Sequence, residues 1–149
     1  MTIEINTAQV MAALNHLMQS VSPVGMQPVF HQIGEVLQSE IQSNLGRGQS
    51  PWGIPFDPLL RPRKSGSNGL PLNDTRKHIY DRITFNPDAN GVEVGMFEDV
   101  PIGVTHQFGL PEKNIPARPF LPILGGHVDL PNEWNIEMMD VVNRHLDIL

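Results

Sequence analysis

The stretch Ile83-Thr84-Phe85-Asn86-Pro87-Asp88-Ala89-Asn90-Gly91-Val92-Glu93-Val94-Gly95-Met96 decides the fold class. Ile83-Thr84-Phe85 and Gly91 to Met96 alternate apolar and polar residues, the period of two that turns one face of a strand inward. Between them, Pro87-Asp88 and Asn90-Gly91 supply turn chemistry, so the pattern predicts a β-hairpin with a loop of about five residues. The segments on either side read as helix or as irregular chain. The fold class expected is therefore α+β: a small antiparallel sheet packed against N-terminal amphipathic helices and a C-terminal helix, with a long extended arm.

Upstream of the hairpin, Asn73-Asp74-Thr75 predicts the cap of a short helix from Arg76 to about Arg82. Further back, Val10, Met11, Leu14, Leu17, Met18 and Val21 recur at helical spacing, with Asn6 as the cap and Gln9 at the capping-box position. Ser22-Pro23 breaks that helix. A second helix is expected from about Pro28, with Val29, Phe30, Ile33, Leu37 and Ile41 on one face. Gln32, Glu35, Gln38, Ser39 and Gln42 lie on the other. This helix stops at Leu45-Gly46, where glycine fits a left-handed cap. Downstream, residues 101–109 suggest one helical turn. The segment from Ile115 to Leu124 contains Pro116, Pro119 and Pro122, so it must be extended and cannot be a central strand. After Pro131-Asn132, Trp134, Met138, Val141, His145 and Leu149 mark a last helix.

Residues 46–72 have another character. Glycine and proline dominate, no period survives, and Trp52, Phe56, Leu59 and Leu60 are too apolar for a plain linker. A connection of this length inside a domain usually has a function. It reads as an extended arm that lies on its own core or on a neighbouring subunit.

The 149 residues fit a single domain, 1–149, with a core that needs no staples. With no cysteine in the sequence, disulfides, thiol catalysis and Cys-based zinc sites are excluded. No apolar run reaches the roughly 20 residues of a membrane span, and no signal peptide is visible, so membrane contact is not expected. The net charge of −6 argues against a general nucleic-acid binder. It is unevenly spread: −3 over residues 1–46, +4 over 47–83 and −7 over 84–149. Arg61, Arg63 and Lys64 place much of the positive charge in the arm, which suits contact with an acidic surface such as another copy of the chain.

Motifs that carry chemistry are missing. The six histidines never fall at ligand spacing, so no metal or cofactor is expected. There is no Gly-x-Ser-x-Gly, and no phosphate-binding lysine follows Gly46-x-Gly48. His106, in Thr105-His106-Gln107, could serve a small bacterial enzyme as a base if a carboxylate oriented it. The other reading is structural: His106 and Gln107 bond the backbone of the following turn and lock Gly109. No second catalytic group can be nominated, so the expectation is a protein that is not an enzyme.

Val104-Thr105-His106-Gln107-Phe108-Gly109, followed by Ile115-Pro116-Ala117-Arg118-Pro119-Phe120-Leu121, resembles the paired motifs of the phage virion morphogenesis family. Ser50-Pro51-Trp52-Gly53 with Phe56 to Leu60, the step Pro71-Leu72-Asn73-Asp74-Thr75 and the strand Val92-Glu93-Val94-Gly95 are similar to further family segments. The sequence departs from the family pattern at Ile102-Gly103, where Tyr-Ala is usual, and at Arg76, where glycine is usual. The resemblance implies a structural virion protein of the head–tail (neck) region, acting in tail completion or head–tail joining. Its implied partners are other neck and tail proteins (connector, adaptor, tail tube or terminator) and copies of itself in a ring, hexameric in many relatives. It also implies location in the virion neck, after assembly in the host cytoplasm. Under this reading the expected interface residues are Trp52, Phe56, Arg61, Arg63, Lys64, Arg118, Phe120 and Leu121, with Phe120 and Leu121 as anchors and Arg118 as a charge-assisted partner. The alternative for Phe120 and Leu121 is the subunit's own core. DNA contact enters only as a basic arm lining a lumen.

Overall fold

The computed structural model describes residues 7–59, 70–72 and 79–146. Two helices open the chain, α1 (Thr7–Ser20) and α2 (Pro23–Gly46), and Ser22 joins them. Its hydroxyl oxygen accepts the Gly25 N–H at 3.1 Å while its O–H donates to the Gln19 carbonyl at 2.8 Å. Pro23 takes the first-turn position, where a missing N–H costs nothing. This cap starts α2 earlier than Pro28, which lies inside the helix instead. The left-handed residue expected at Gly46 is also displaced. Arg47 is right-handed (φ −92°, ψ −2°), and the positive φ falls on Gly48 at +68°.

The hairpin pairs β1 (Ile83–Pro87) with β2 (Val92–Met96), in a register running from Ile83 opposite Met96 to Pro87 opposite Val92. Its turn is closed by Asp88, whose carboxylate accepts the N–H groups of Asn90 (2.7 Å) and Gly91 (2.9 Å). A single 3-10 turn, Tyr80–Arg82, leads into β1, and the cap predicted at residues 73–75 lies outside the described residues, as does Asn6.

The hairpin lies against α2, and the close approach is set at Gly34, where an added Cβ would press into the Phe85 ring, 2.6 Å from Cγ. Two glutamines stitch the contact: Gln38 Nε2 donates to the Ile83 carbonyl at 2.8 Å and Gln42 Nε2 to the Tyr80 carbonyl at 3.0 Å. The sequence reading had set both on the outward polar face. They instead satisfy carbonyls where the hairpin begins.

After β2, Asp99 adopts a positive φ of 54° and α3 (Val100–Phe108) follows, a full helix rather than the single turn expected. Arg82 pairs with Glu98 and, at 3.4 Å, with Asp99, which ties this corner to the start of β1. The proline-rich segment is extended, as its composition requires. It then enters a small second hairpin that the sequence reading missed, β3 (Ile123–Leu124) with β4 (His127–Val128). The signal was Gly125-Gly126, whose φ values of +59° and +79° are those of a tight hairpin turn.

The last helix, α4 (Asn132–Leu146), buries Trp134 and Val141 against α2, and its His145 Nε2 lies 2.9 Å from the Ser20 carbonyl. The core is the meeting point of six segments: Ile41 and Leu45 from α2, Phe56, Ile79, Ile83, Phe120 and Trp134. Gly34→Ala should lower stability by ~1–3 kcal/mol through overpacking against Phe85. Urea unfolding of the purified variant tests this, and an unchanged midpoint would refute the close approach.

Candidate functional site

The chain at 104–121 forms one unit around Gln107. Pro116, Pro119 and Pro122 have no N–H, so this buried segment cannot satisfy its remaining polar groups by joining a sheet. Gln107, 4% exposed, does so from the side. Its Oε1 accepts the N–H groups of Phe120 (3.0 Å) and Leu121 (2.9 Å), and its Nε2 donates to the Leu121 carbonyl at 3.1 Å. One residue earlier, the His106 carbonyl accepts the Arg118 N–H at 2.7 Å. Gly109 (φ +78°) lets the chain double back, since a Cβ there would sit 2.8 Å from the Ala117 nitrogen. The single turn Pro111–Lys113 closes the loop, with Leu110 and Ile115 exchanging both backbone hydrogen bonds.

The arm is bound to this unit. Arg118, 5% exposed, donates from Nε to the Asp57 carbonyl (2.9 Å) and from Nη2 to the Pro58 carbonyl (3.0 Å). Phe56 inserts into the core, and its N–H donates to the Gly48 carbonyl at 2.9 Å. Trp52 is partly buried, with its indole N–H donating to the Asp129 carbonyl at 3.2 Å.

Several of the expected interface positions therefore make their contacts within the chain itself. Phe56 and Phe120 lie in the chain's own core, and Leu121 packs on it. Arg118 holds backbone carbonyls of the same chain. The reason is the clamp: it draws the stiff segment inward, where the sequence alone left core and contact surface equally open. Arg61, Arg63 and Lys64 lie outside the described residues. His106, Gln107 and Gly109 sit together at the C-terminal end of α3. Gln107 bonds the backbone further on than the turn itself, and the His106 ring makes no such bond.

His106 lines an open cavity of about 410 Å³ with Leu59, Lys113, Asn114, Ile115, Pro116 and Arg118. Its Nδ1 is buried without a hydrogen-bond partner among the described residues. Burial and then the Arg118 guanidinium hold the ring below its ordinary pKa of 6.5. Among the described residues, no carboxylate lines this cavity to orient the ring as a base. Among the described residues, no cluster of His, Asp or Glu could hold a metal ion, and no helix is long and apolar enough to cross a membrane.

What sequence reasoning missed is on the surface. On α3, Val100, Val104 and Phe108 recur every fourth residue and are 45%, 50% and 59% exposed. On α1, Met11, Leu14 and Met18 are likewise exposed, although that helix rests on α2 and α4. The α3 stripe was legible as an i, i+4, i+8 pattern, had the helix been given its full length.

The model of the phage virion morphogenesis family matches residues 5–147. The chain belongs to this family. As a virion morphogenesis protein it has a structural role in building the phage particle, and it is associated with the virion. The chain is also similar to an uncharacterized protein of Methanocaldococcus jannaschii, at 31% identity over 61% of this chain and 72% of that protein. No solved structure matches it.

Replacing Gln107 by Ala strands the N–H groups of Phe120 and Leu121, while the Leu121 carbonyl keeps the Ile123 N–H, and should cost ~2–4 kcal/mol in denaturant unfolding. A loss within error of zero would mean that the clamp is not needed. Because His106 has a depressed pKa in the fold, the unfolded chain takes up its proton first as pH falls. Its contribution is intact above the ordinary value of 6.5 and lost as pH falls through the lower folded value. The stability of the parent chain should therefore fall more steeply than that of His106→Gln as pH drops below the ordinary value of 6.5. Parallel profiles would contradict a shielded ring.

Proposed function

We propose that this virion protein works at the head–tail joint, completing the tail or joining it to the head, as one subunit of a ring of identical copies. One observation carries the reading: two separate helices, α1 and α3, each leave an apolar stripe outside the core. Subunits of a ring meet through heterologous contacts, so each must present two different surfaces that complement each other. Met11, Leu14 and Met18 of one copy against Val100, Val104 and Phe108 of the next would satisfy that demand, and contiguous exposed apolar surface of this kind marks association sites.

The expected partners beyond the ring are the neck and tail components on either side of it, and six copies is the stoichiometry to test first. The basic residues Arg61, Arg63 and Lys64 are the positions through which such a ring would face an acidic neighbour or DNA in its lumen. The two fates are separable, because duplex affinity falls steeply with salt.

The test is Phe108→Asp. The side chain is outside the core, so the variant should fold with a stability within about 0.5 kcal/mol of the parent. Native mass spectrometry and electron microscopy should find rings of the parent chain and monomers of the variant, and phage carrying the variant should yield unjoined heads and tails. Normal virions from the variant, or a parent chain that stays monomeric at assembly concentrations, would overturn the proposal.

A further inference from the structure

The β1–β2 hairpin has one edge that no described residue closes. The Asp88 N–H donates to the Gly91 carbonyl at 2.9 Å, which sets the alternation of the ladder. Thr84 and Asn86 therefore bond Gly95 and Glu93, while Val92, Val94 and Met96 turn their N–H and C=O groups away from β1. Those outward groups make no hydrogen bond with any described residue. The outer edge of β1 is different. The Ile83 N–H donates to the Tyr80 carbonyl, Gln38 covers the Ile83 carbonyl, and Pro87 has no N–H to offer. Backbone groups left unpaired by the fold must meet water or another chain, and a free strand edge is a template for a further strand.

Beside this edge is a cavity of about 200 Å³. Leu37, Ile41, Val92, Val94, Leu121 and Leu130 are among its walls, and every described side chain that lines it is apolar. A dry apolar cavity of ~150 Å³ takes up a benzene ring, so this one has room for a large aliphatic side chain. A strand added to β2 places alternate side chains on the face of Val92 and Val94, which is the face that meets the cavity. Edge and cavity together call for one kind of ligand, an extended peptide with an apolar residue at every second position.

The sequence holds such a peptide directly ahead of α1. Met1-Thr2-Ile3-Glu4-Ile5-Asn6 lies outside the described residues; its sequence alternates apolar and polar, and Thr2, Ile3 and Ile5 are β-branched. Its three apolar positions match the three outward positions of β2. It leads into the helix that carries the Met11, Leu14 and Met18 stripe. The end of β2 in turn abuts α3, since a Cβ on Gly103 would come 2.7 Å from the Met96 Sδ. Laying the α1 stripe of one copy on the α3 stripe of the next therefore brings the segment to the Met96 end of β2, and six extended residues, at most ~20 Å long, run the length of that strand.

We propose that residues 1–6 of one copy add to the free edge of β2 in the next copy as a parallel strand. Met1, Ile3 and Ile5 lie beside Val92, Val94 and Met96, with Ile3 at the cavity, and the chain leaves at the Met96 end to enter α1 on the neighbour's α3. This register sets Glu4 beside Gly95 and away from the Glu93 carboxylate. The exchange deepens the ring reading and rests on it. Apolar stripes supply area without direction, while a hydrogen-bonded ladder fixes register.

Because the chain has no cysteine, Thr2→Cys and Glu93→Cys can be introduced without competing thiols, and Glu93 is exposed. Mixing the two single variants under mild oxidation should give a disulfide-linked dimer, and the double variant a ladder of linked copies on a non-reducing gel. In the full chain, Ile3→Asp should weaken association at least about tenfold in analytical ultracentrifugation and leave the urea midpoint of the monomer unchanged. A double variant that closes its disulfide within one chain, with Ile3→Asp lowering the midpoint, would mean that the segment docks on its own β2 and would overturn the exchange between copies. If Ile3→Asp assembles like the parent and the cysteines do not link, the edge takes no part in the contact, and the ring reading stands without it. A parent chain that never assembles overturns both readings.

Discussion

The rest of the molecule depends on the need to satisfy a buried backbone that prolines have deprived of donors. A segment with prolines at 116, 119 and 122 cannot take a place within a sheet, yet Phe120 must reach the core. The conflict is resolved by a side chain that imitates a strand edge. The Gln107 amide offers an acceptor and a donor to the same backbone, which is the service an adjacent strand would provide. With that in place, Arg118 is positioned to grip the arm, Phe56 can enter beside Phe120, and α3 is held with its other side facing out.

This solution separates roles that the sequence mixes. The residues most suggestive of contact, namely the arm aromatics and the anchors of the proline segment, are spent on holding the chain together. The surface left for other molecules is plainer: short apolar stripes on α1 and α3. An assembly protein gains from this division. The internal bonds fix the shape before any partner arrives, so association does not have to supply the cost of ordering the subunit.

Much of the fold was legible in the sequence, because periodicity reports directly on which face of an element is buried. The hairpin, both opening helices, the extended proline segment and the last helix follow from alternation, caps and breakers. The errors have local causes. Pro28 resembles a helix start, although Ser22-Pro23 makes a better one, and Pro101 and Gly103 disguise the pattern of α3. Gln38 and Gln42 were placed outward because polar residues usually are, and only the long-range contact with the hairpin reveals the carbonyls they serve. The candidate site was legible as a motif but not as a geometry. Sequence marked His106, Gln107, Gly109, Arg118 and Phe120 as belonging together, while the direction in which each points depends on a partner many residues away.

The described ends of the arm are held by the body of the chain. Arg118 fixes the carbonyls of Asp57 and Pro58, and on the far side Leu70 packs beside Gly48, whose carbonyl is bonded to Phe56. Entry to the arm and exit from it are thus anchored by one subunit's own bonds, so an encounter with another molecule leaves both anchor points where the fold put them.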